Sequence, residues 1–413
     1  MIKLNFDIKR HKLNNGLEVI TINKNTQIPS INIGIKVGAL NENLEQKGIS
    51  HFIEHCLFKG TYTRNDEELN SDLEALGGEY NAYTDYEATV YTISCLMEEF
   101  KNGVSILSDM IINSKFEESE IEKERGVILA EIRTGKDDLE DYSFKNVNDI
   151  AFTKSAFKYE VAGLEENVNK FTREEIKRFY KKYYTPKNSL ITMVSPLSHD
   201  EAIKLIEDNF SMWTGEKPEH IDVIKEKNKN ITKITYKKDI EQSTIIYLYT
   251  FNELEKEDEL PLRILNHKLG ESANSLLFRE VRENRGLAYD IYTNLEISTN
   301  IKTIYIYTSV AEENLEEAKC AIEQTLNNVI DGKIQICDRD LDVMKKVHKT
   351  AVISTLEDSL ELCNYILHQE LEGEDIFEFV KDMERLNNID KVKINEVSKK
   401  VFKNPTIHIL KSN

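Results

Sequence analysis

The chain has 413 residues, of which 40% are hydrophobic and 31% are charged, and its formal net charge is -19 at pH 7. This length is enough for two or three domains with ample cores, and the strong negative charge disfavours nucleic acid as a partner. The same charge would attract cationic ligands, or it serves only to keep the protein soluble. No apolar run approaches the roughly 20 residues of a membrane span, so no membrane partner is expected.

The N-terminus and the cysteines indicate the compartment. Met1 to Arg10 lacks the long apolar region of a secretory signal and the Arg- and Ser-rich pattern of a mitochondrial presequence, so we expect a cytoplasmic, bacterial protein. The cysteines are scattered without Cys-x-x-Cys spacing, which argues against a disulfide framework or a cysteine zinc site. We interpret them as reduced, mostly buried thiols: Cys56, Cys95, Cys320, Cys337 and Cys363.

Apolar periodicity predicts a regular succession of elements in the first half. Asn65 to Glu68 resembles a capping box that begins a helix, and Gly77-Gly78 marks the end of that helix. Strands are predicted at 17–23, 31–37, 79–84, 88–96 and 189–194. Further helices are predicted around His51 to His55 and at about 98–113, 118–135 and 172–183.

A charged stretch with little apolar periodicity, 215–230, is interpreted as a linker. Beyond it the order of elements recurs, with predicted strands at 231–236, 244–250, 287–296, 302–309 and 406–410. Helices are predicted at about 257–270, 273–284, 312–331, 339–370 and 390–402. The repeat predicts an α+β fold with two homologous domains, 1–214 and 231–413, each a mainly antiparallel sheet covered by helices.

The stretch from His51 to His55 has the spacing of a metal-binding helix. Two histidines four residues apart lie on one helical face, where both imidazoles can reach a single Zn²⁺. At about 100° per residue, Glu54 lies on the same side, where it can take a proton from a water beside the metal. The opposite, apolar side is formed by Ile49, Phe52, Ile53, Cys56 and Leu57.

The histidines need a third ligand. The order HxxEH, followed by a glutamate some 75 residues later, resembles the pitrilysin/insulinase family of inverted zincins, and in particular its bacterial, mitochondrial processing peptidase-like subfamily. Here 75 residues separate His55 from Glu131. Glu124 lies seven residues before Glu131 on the same helical face and matches a family glutamate that assists the site. The resemblance therefore implies one Zn²⁺ per chain, held by His51, His55 and Glu131.

Two further motifs resemble substrate-contacting parts of the family. Arg282 and Tyr289, seven residues apart, match an arginine and a tyrosine that contact the substrate backbone near the scissile bond. Such donors can stabilise a developing oxyanion. Asn81 and Ala82 resemble the edge strand on which family members lay an extended peptide by β-augmentation.

The second half does not repeat the metal motif. An offset of about 212 residues superposes Arg263 on His51 and Asn266 on Glu54, and only His267 keeps a histidine. This half therefore cannot hold zinc in the same way. The other histidines are interpreted as surface or packed residues: His11, His199, His220, His267, His348, His368 and His408.

The sequence favours a zinc-dependent endopeptidase that hydrolyses peptides or unfolded segments. Family members commonly assemble four such domains around a closed chamber, so the resemblance implies a homodimer of this two-domain chain. The alternative is a non-catalytic scaffold or assembly subunit that retains the fold. Such relatives usually lose motif residues, whereas this chain keeps both the metal set and the Arg282–Tyr289 pair.

Overall fold

A computed structural model describes residues 6–334 and 336–412. The first five residues of the stretch interpreted above as lacking a targeting signal lie outside this range. None of the described helices is long and apolar enough to span a bilayer.

The first half forms a six-stranded sheet in the order β1-β2-β6-β3-β5-β4, in which only β2 and β6 run parallel. Its strands are β1 (Phe6–Lys12), β2 (Glu18–Lys24), β3 (Ser30–Ile35), β4 (Glu79–Thr84), β5 (Thr89–Ser94) and β6 (Ser189–Ser195). Its helices are α1 (Ile49–Leu57), α2 (Asp66–Ala75), α3 (Phe100–Asn113), α4 (Glu118–Asp137), α5 (Leu139–Ala151), α6 (Glu165–Val168), α7 (Arg173–Tyr183) and α8 (His199–Phe210).

All predicted elements of the first half are present, and the capping box of Asn65 and Glu68 begins α2 as expected. Four elements of the first half were not predicted from the sequence: β1, α5, α6 and α8. Strand β1 was not predicted because it is an edge strand of mostly charged residues and shows little apolar alternation. Helix α8 begins with a capping box of Ser198 and Glu201, a local signal that was present in the sequence.

The second half forms a five-stranded sheet in the order β7-β11-β8-β10-β9, which repeats the order β2-β6-β3-β5-β4. Its strands are β7 (Ile231–Lys237), β8 (Ser243–Thr250), β9 (Ala288–Ile297), β10 (Lys302–Val310) and β11 (Thr406–Ser412). Its helices are α9 (Lys256–Asn266), α10 (Leu315–Ile330), α11 (Asp338–Glu357), α12 (Ser359–Leu371), α13 (Glu378–Arg385) and α14 (Lys391–Val401). The predicted α+β fold with two related domains is confirmed.

Three helix predictions in the second half were wrong in detail. The helix expected over 339–370 is two helices, because Asp358 is extended and accepts a hydrogen bond from the Glu361 amide as the cap of α12. The helices expected over 257–270 and 273–284 contain π-helical segments at His267–Glu271 and Phe278–Asn284. Helix α13 was not predicted.

One helix of each half packs against the sheet of the other half. Helix α12 packs its buried face, including Cys363 and Leu367, against Ile20, Val90 and Leu190 of the first sheet. Reciprocally, Val147 and Ala151 of α5 pack against Ile246 and Leu248 of the second sheet. Both sheets are therefore buried on two faces, and the two halves are interlocked within one chain.

The stretch interpreted as a linker contains no helix or strand, but it is held against both halves. The Glu226 carboxylate accepts hydrogen bonds from the amides of Thr153, Lys154 and Ser155 at 2.7–3.0 Å. Asn252 of the second half donates to the Glu226 carbonyl at 3.3 Å. The connection therefore runs along the protein surface and is hydrogen-bonded to both halves.

Candidate metal centre

Helix α1 has the two-sided character that its sequence predicts. Phe52, Ile53, Cys56 and Leu57 are buried in the core of the first half. His51, Glu54 and His55 lie on the other side and keep partial exposure. The core thus fixes the rotation of the helix, and this rotation presents both imidazoles and the carboxylate to one cleft.

The start of α1 is secured by a residue that the sequence analysis did not identify. The buried Glu42 carboxylate accepts hydrogen bonds from the amides of Gly48 at 2.9 Å and Ser50 at 2.8 Å, which satisfies donors that every helix N-terminus leaves free. Burial raises the pKa of Glu42 to about 7, although these hydrogen bonds oppose the rise. Gly48 itself has φ of +100°, a left-handed conformation that favours glycine.

Three side chains converge on one point in front of α1. His51 Nε2 lies 3.3 Å from His55 Nε2 and 3.7 Å from Glu131 Oε1. The other carboxylate oxygen, Glu131 Oε2, lies 3.8 Å from His55 Nε2. Glu131 comes from α4, which packs against α1. Among the described residues, this is the one group of three or more His, Cys, Asp or Glu side chains that could hold a metal ion.

These distances fit a zinc ion. With zinc–nitrogen bonds of about 2.0–2.1 Å, the ligand atoms of a tetrahedral site lie about 3.3–3.4 Å apart, which matches the separation of the two imidazole nitrogens. Burial, and then His55, lower the pKa of His51 to about 4, so its imidazole is neutral at pH 7 and able to bind a metal. The donor set of two imidazoles and one carboxylate is one that catalytic zinc sites use.

Glu124 holds His55 from behind. Its Oε2 lies 3.0 Å from His55 Nδ1, and its Oε1 lies 3.1 Å from Lys59 Nζ. A proton on Nδ1 of the neutral ring leaves the lone pair of Nε2 facing Glu131 and the cleft. Burial lowers the pKa of His55, but the hydrogen bond to Glu124 and the surrounding carboxylates outweigh it and raise the pKa. Glu124 thus lies where the sequence analysis expected an assisting residue.

Glu54 lies between the histidines and the edge strand β4. Its Oε2 accepts a hydrogen bond from Thr84 Oγ1 at 2.6 Å. Burial raises the pKa of Glu54, while the Thr84 hydrogen bond and the charge of His55 partly oppose the rise. Thr84 was not identified from the sequence, because its role depends on the fold that brings β4 beside α1.

Asn81 and Ala82 lie in the middle of β4, which pairs with β5 on one side and ends the first sheet on the other. Asn81 is exposed, and Ala82 packs against the core that contains α1. Among the described strands, β5 is the only partner of β4. An extended segment could therefore pair with the open edge.

Arg282 and Tyr289 lie together on the second half. The Arg282 guanidinium is 4.9 Å from the centre of the Tyr289 ring and 4.6 Å from that of Phe278, and Tyr289 is 76% exposed. Over residues 6–334 and 336–412, no hydrogen bond or ion pair joins either residue to His51, His55 or Glu131. The pair is thus available for contacts outside its own half.

The cysteines follow the prediction of mostly buried thiols in part. Cys56, Cys95 and Cys363 are buried free thiols, whereas Cys320 and Cys337 are exposed.

The second copy of the metal helix does not repeat the glutamate of the first copy. In the second half, Asn266 is buried and donates to Glu271 at 2.5 Å. This amide therefore bonds to the π-helical segment that follows α9, and unlike a carboxylate it cannot accept a proton from a water.

Comparisons with known proteins agree with this geometry. Residues 18–165 match the insulinase family of peptidases, peptidase family M16, and residues 170–346 match the domain described as the inactive domain of the same family. The chain is 31% identical to the uncharacterised zinc protease YmxG of Bacillus subtilis over 360 residues, which are 85% of each chain.

Solved structures share the fold. A protease from Helicobacter pylori superposes with a TM-score of 0.91 at 21% identity and covers 99% of this chain and 100% of its own. A peptidase M16 inactive domain from Pseudomonas fluorescens superposes with a TM-score of 0.89 at 13% identity, covering 98% of both chains. From the sequence relationship and the shared fold, the chain belongs to the insulinase family of peptidases, family M16.

Proposed function

We propose that this protein is a zinc-dependent endopeptidase of the cytoplasm that hydrolyses extended peptides or unfolded polypeptide segments inside a closed chamber formed by two copies of the chain. The convergence of His51, His55 and Glu131 beside Glu54 is the observation that carries the proposal. A non-catalytic scaffold would have no need for two imidazoles and a carboxylate that converge on one point with a second carboxylate beside them.

The chemistry divides between the bound ion and Glu54. A zinc ion held by His51, His55 and Glu131 would polarise a water and the scissile carbonyl as a Lewis acid. Glu54 accepts a proton from the attacking water and passes it to the nitrogen of the leaving amine as the peptide C–N bond breaks. Its raised pKa suits this exchange, because the buried carboxylate holds the proton more readily than an exposed one.

The peptide would lie along β4. Pairing with the open edge of this strand holds a substrate extended through backbone hydrogen bonds, which favours unfolded segments over folded proteins. Asn81 and Ala82 form the middle of that edge, and Thr84 at its end contacts Glu54. Arg282 and Tyr289 of the second copy would stabilise the negative charge that develops on the carbonyl oxygen.

Two glutamine substitutions test the assignment. Glu54→Gln should retain stoichiometric zinc and lose at least about 100-fold in kcat, because the ligands survive while the proton acceptor is lost. Glu131→Gln should lose zinc during dialysis, because a neutral amide replaces an anionic ligand. Metal content by atomic emission and hydrolysis of an unstructured peptide measure both effects. Activity like that of the wild type in either variant would remove the role given to that residue.

A further inference from the structure

The edge strand β4 is contacted by a helix from the other half of the chain. Helix α12 is docked firmly on the first sheet: Thr192 Oγ1 donates to the Cys363 carbonyl at 3.0 Å, and Asn32 Nδ2 donates to Asn364 Oδ1 at 2.5 Å. Its buried side chains belong to the core cluster that covers this face of the sheet. His368 lies in the last turn of α12, beside β4.

The two faces of β4 contact two different parts of the protein, because successive side chains of a strand point to opposite faces. Ala82 packs against the core that contains α1. Its neighbour Tyr83 packs against the cluster that contains α12. The Tyr83 hydroxyl and His368 Nε2 form a hydrogen bond of 2.6 Å, and the two rings stack at 14° with centres 6.1 Å apart.

The turn after β4 is contacted from the second half as well. Asn300 Nδ2 donates to Glu87 Oε1 at 2.6 Å, and Thr299 Oγ1 donates to the carbonyl of Glu372, one residue past the end of α12. Strand β4 has backbone pairing on one side only, within the part of the chain that the structure describes. The contacts of Tyr83 and Glu87 therefore add restraint that a central strand would receive from a second neighbouring strand.

We infer that His368 is a positioning residue for the peptide substrate, which acts through Tyr83 to hold the edge strand in the register that receives the peptide. This inference rests on the proposed function, in which β4 is the strand that pairs with substrate. The second half of the chain thereby contributes to substrate binding in its own first half, besides offering Arg282 and Tyr289 to a partner copy.

The expected effect falls on substrate affinity. His368 lies on the face of β4 opposite to the one that packs against α1, so its loss leaves the histidine–glutamate cluster in place. Loss of one such hydrogen bond should raise KM by about three- to tenfold. The kcat value should change by less than about twofold, because the reacting groups do not contact His368.

Steady-state kinetics on the zinc-loaded protein test this separation of KM from kcat. His368→Ala and Tyr83→Phe should each raise KM for an unstructured peptide, and the double variant should be no worse than either single variant, since both remove one shared contact. His368→Gln should restore KM, because its amide can take the place of Nε2. Gln369→Ala is the matched control, since the Gln369 amide donates to the Tyr365 hydroxyl and to the Asp375 carbonyl, and neither partner belongs to β4.

Hydrogen exchange separates a failure of this inference from a failure of the proposed function. Amides of Glu79–Thr84 should exchange about three- to tenfold faster in His368→Ala than in the wild type, with the amides of β3 unchanged. Equal exchange in the two proteins overturns the inference whatever the activity. Faster exchange without a rise in KM also overturns it.

A wild-type protein that hydrolyses no peptide would overturn the proposed function instead. In that case the inference is decided by the dissociation constant of a fluorescein-labelled unstructured peptide from the zinc-loaded Glu54→Gln protein. Weaker binding when His368→Ala is added supports a positioning role at a peptide-binding strand, and unchanged binding overturns it.

Discussion

The pKa values of two glutamates beside the same histidine pair are shifted in opposite directions. Burial raises the pKa of Glu54, and its one hydrogen bond from Thr84 does not cancel the rise. Burial also acts on Glu124, but hydrogen bonds from His55 and Lys59 outweigh it and lower the pKa. Glu124 therefore stays charged and holds the His55 ring through its hydrogen bond, while Glu54 can exchange a proton. Such a split between neighbouring carboxyl groups is how one site separates acid–base and electrostatic roles.

Glu124→Gln should weaken zinc binding about 10- to 100-fold while leaving the fold intact, because His55 loses the anionic partner that orients its ring. The dissociation constant can be measured by competition with a chromogenic chelator. Glu118→Gln, on the exposed start of the same helix, is the matched control and should bind zinc like the wild type. An unchanged constant for Glu124→Gln would contradict its positioning role.

At the scale of elements, the second sheet contains a buried titratable residue that plays no part in the site. His408 lies in β11, opposite Lys233 of β7, and its Nε2 is 2.7 Å from Thr235 Oγ1. Burial, and then the charge of Lys233, lower its pKa to about 4. The folded state therefore binds this proton less tightly than the unfolded chain, so its contribution to stability is present above pH 6.5 and is lost as pH falls toward 4.

The free energy of unfolding should fall by about 2 kcal/mol between pH 7 and pH 5 through His408 alone. Urea titrations of metal-free protein at both pH values measure the decrease. His408→Gln cannot gain this proton and should show a correspondingly smaller decrease, although its stability at pH 7 is also reduced by the altered packing. The same pH dependence in both proteins would show that His408 is not the titrating group.

At the scale of the whole molecule, the exchange of α5 and α12 interlocks the two halves of one chain. Arg282 and Tyr289 are held on the second half, and no hydrogen bond or ion pair among the described residues connects them to the metal cluster. If the pair acts at a zinc site, a second copy is the natural source of that site. We therefore expect composite sites in which one copy supplies the zinc centre and the other supplies Arg282 and Tyr289.

Co-expressed chains with different tags test the composite site. A Glu54→Gln chain paired with an Arg282→Ala, Tyr289→Phe chain should recover about half of the wild-type activity per dimer, because one of its two sites combines both intact parts. Each parental homodimer should be inactive. Peptide hydrolysis by tandem-purified heterodimers measures the recovery.

The reciprocal pairing is the matched control. A wild-type chain paired with a chain that carries all three substitutions contains no intact composite site, so it should be inactive. If that heterodimer is active while the first one is not, the site is assembled within one chain and the composite arrangement is wrong.

The sequence by itself determined the elements whose signals are local. The periodicity of α1 places His51, Glu54 and His55 on one side, because side chains four residues apart share a helical face. The recurrence of strands and helices indicated two related α+β domains. Asp358 also carried a local capping signal, so the break between α11 and α12 was predictable, although apolar periodicity alone extended across it.

Only the tertiary structure decided which distant residues support the site. Glu42 caps α1, Thr84 contacts Glu54, and His368 reaches Tyr83 from 285 positions away. Glutamates, threonines and histidines at such positions are most often solvated or packed, and no spacing distinguishes these three. Their partners are set by how α12 and β4 pack against one sheet, and packing of this kind depends on buried surface contributed by both halves of the chain.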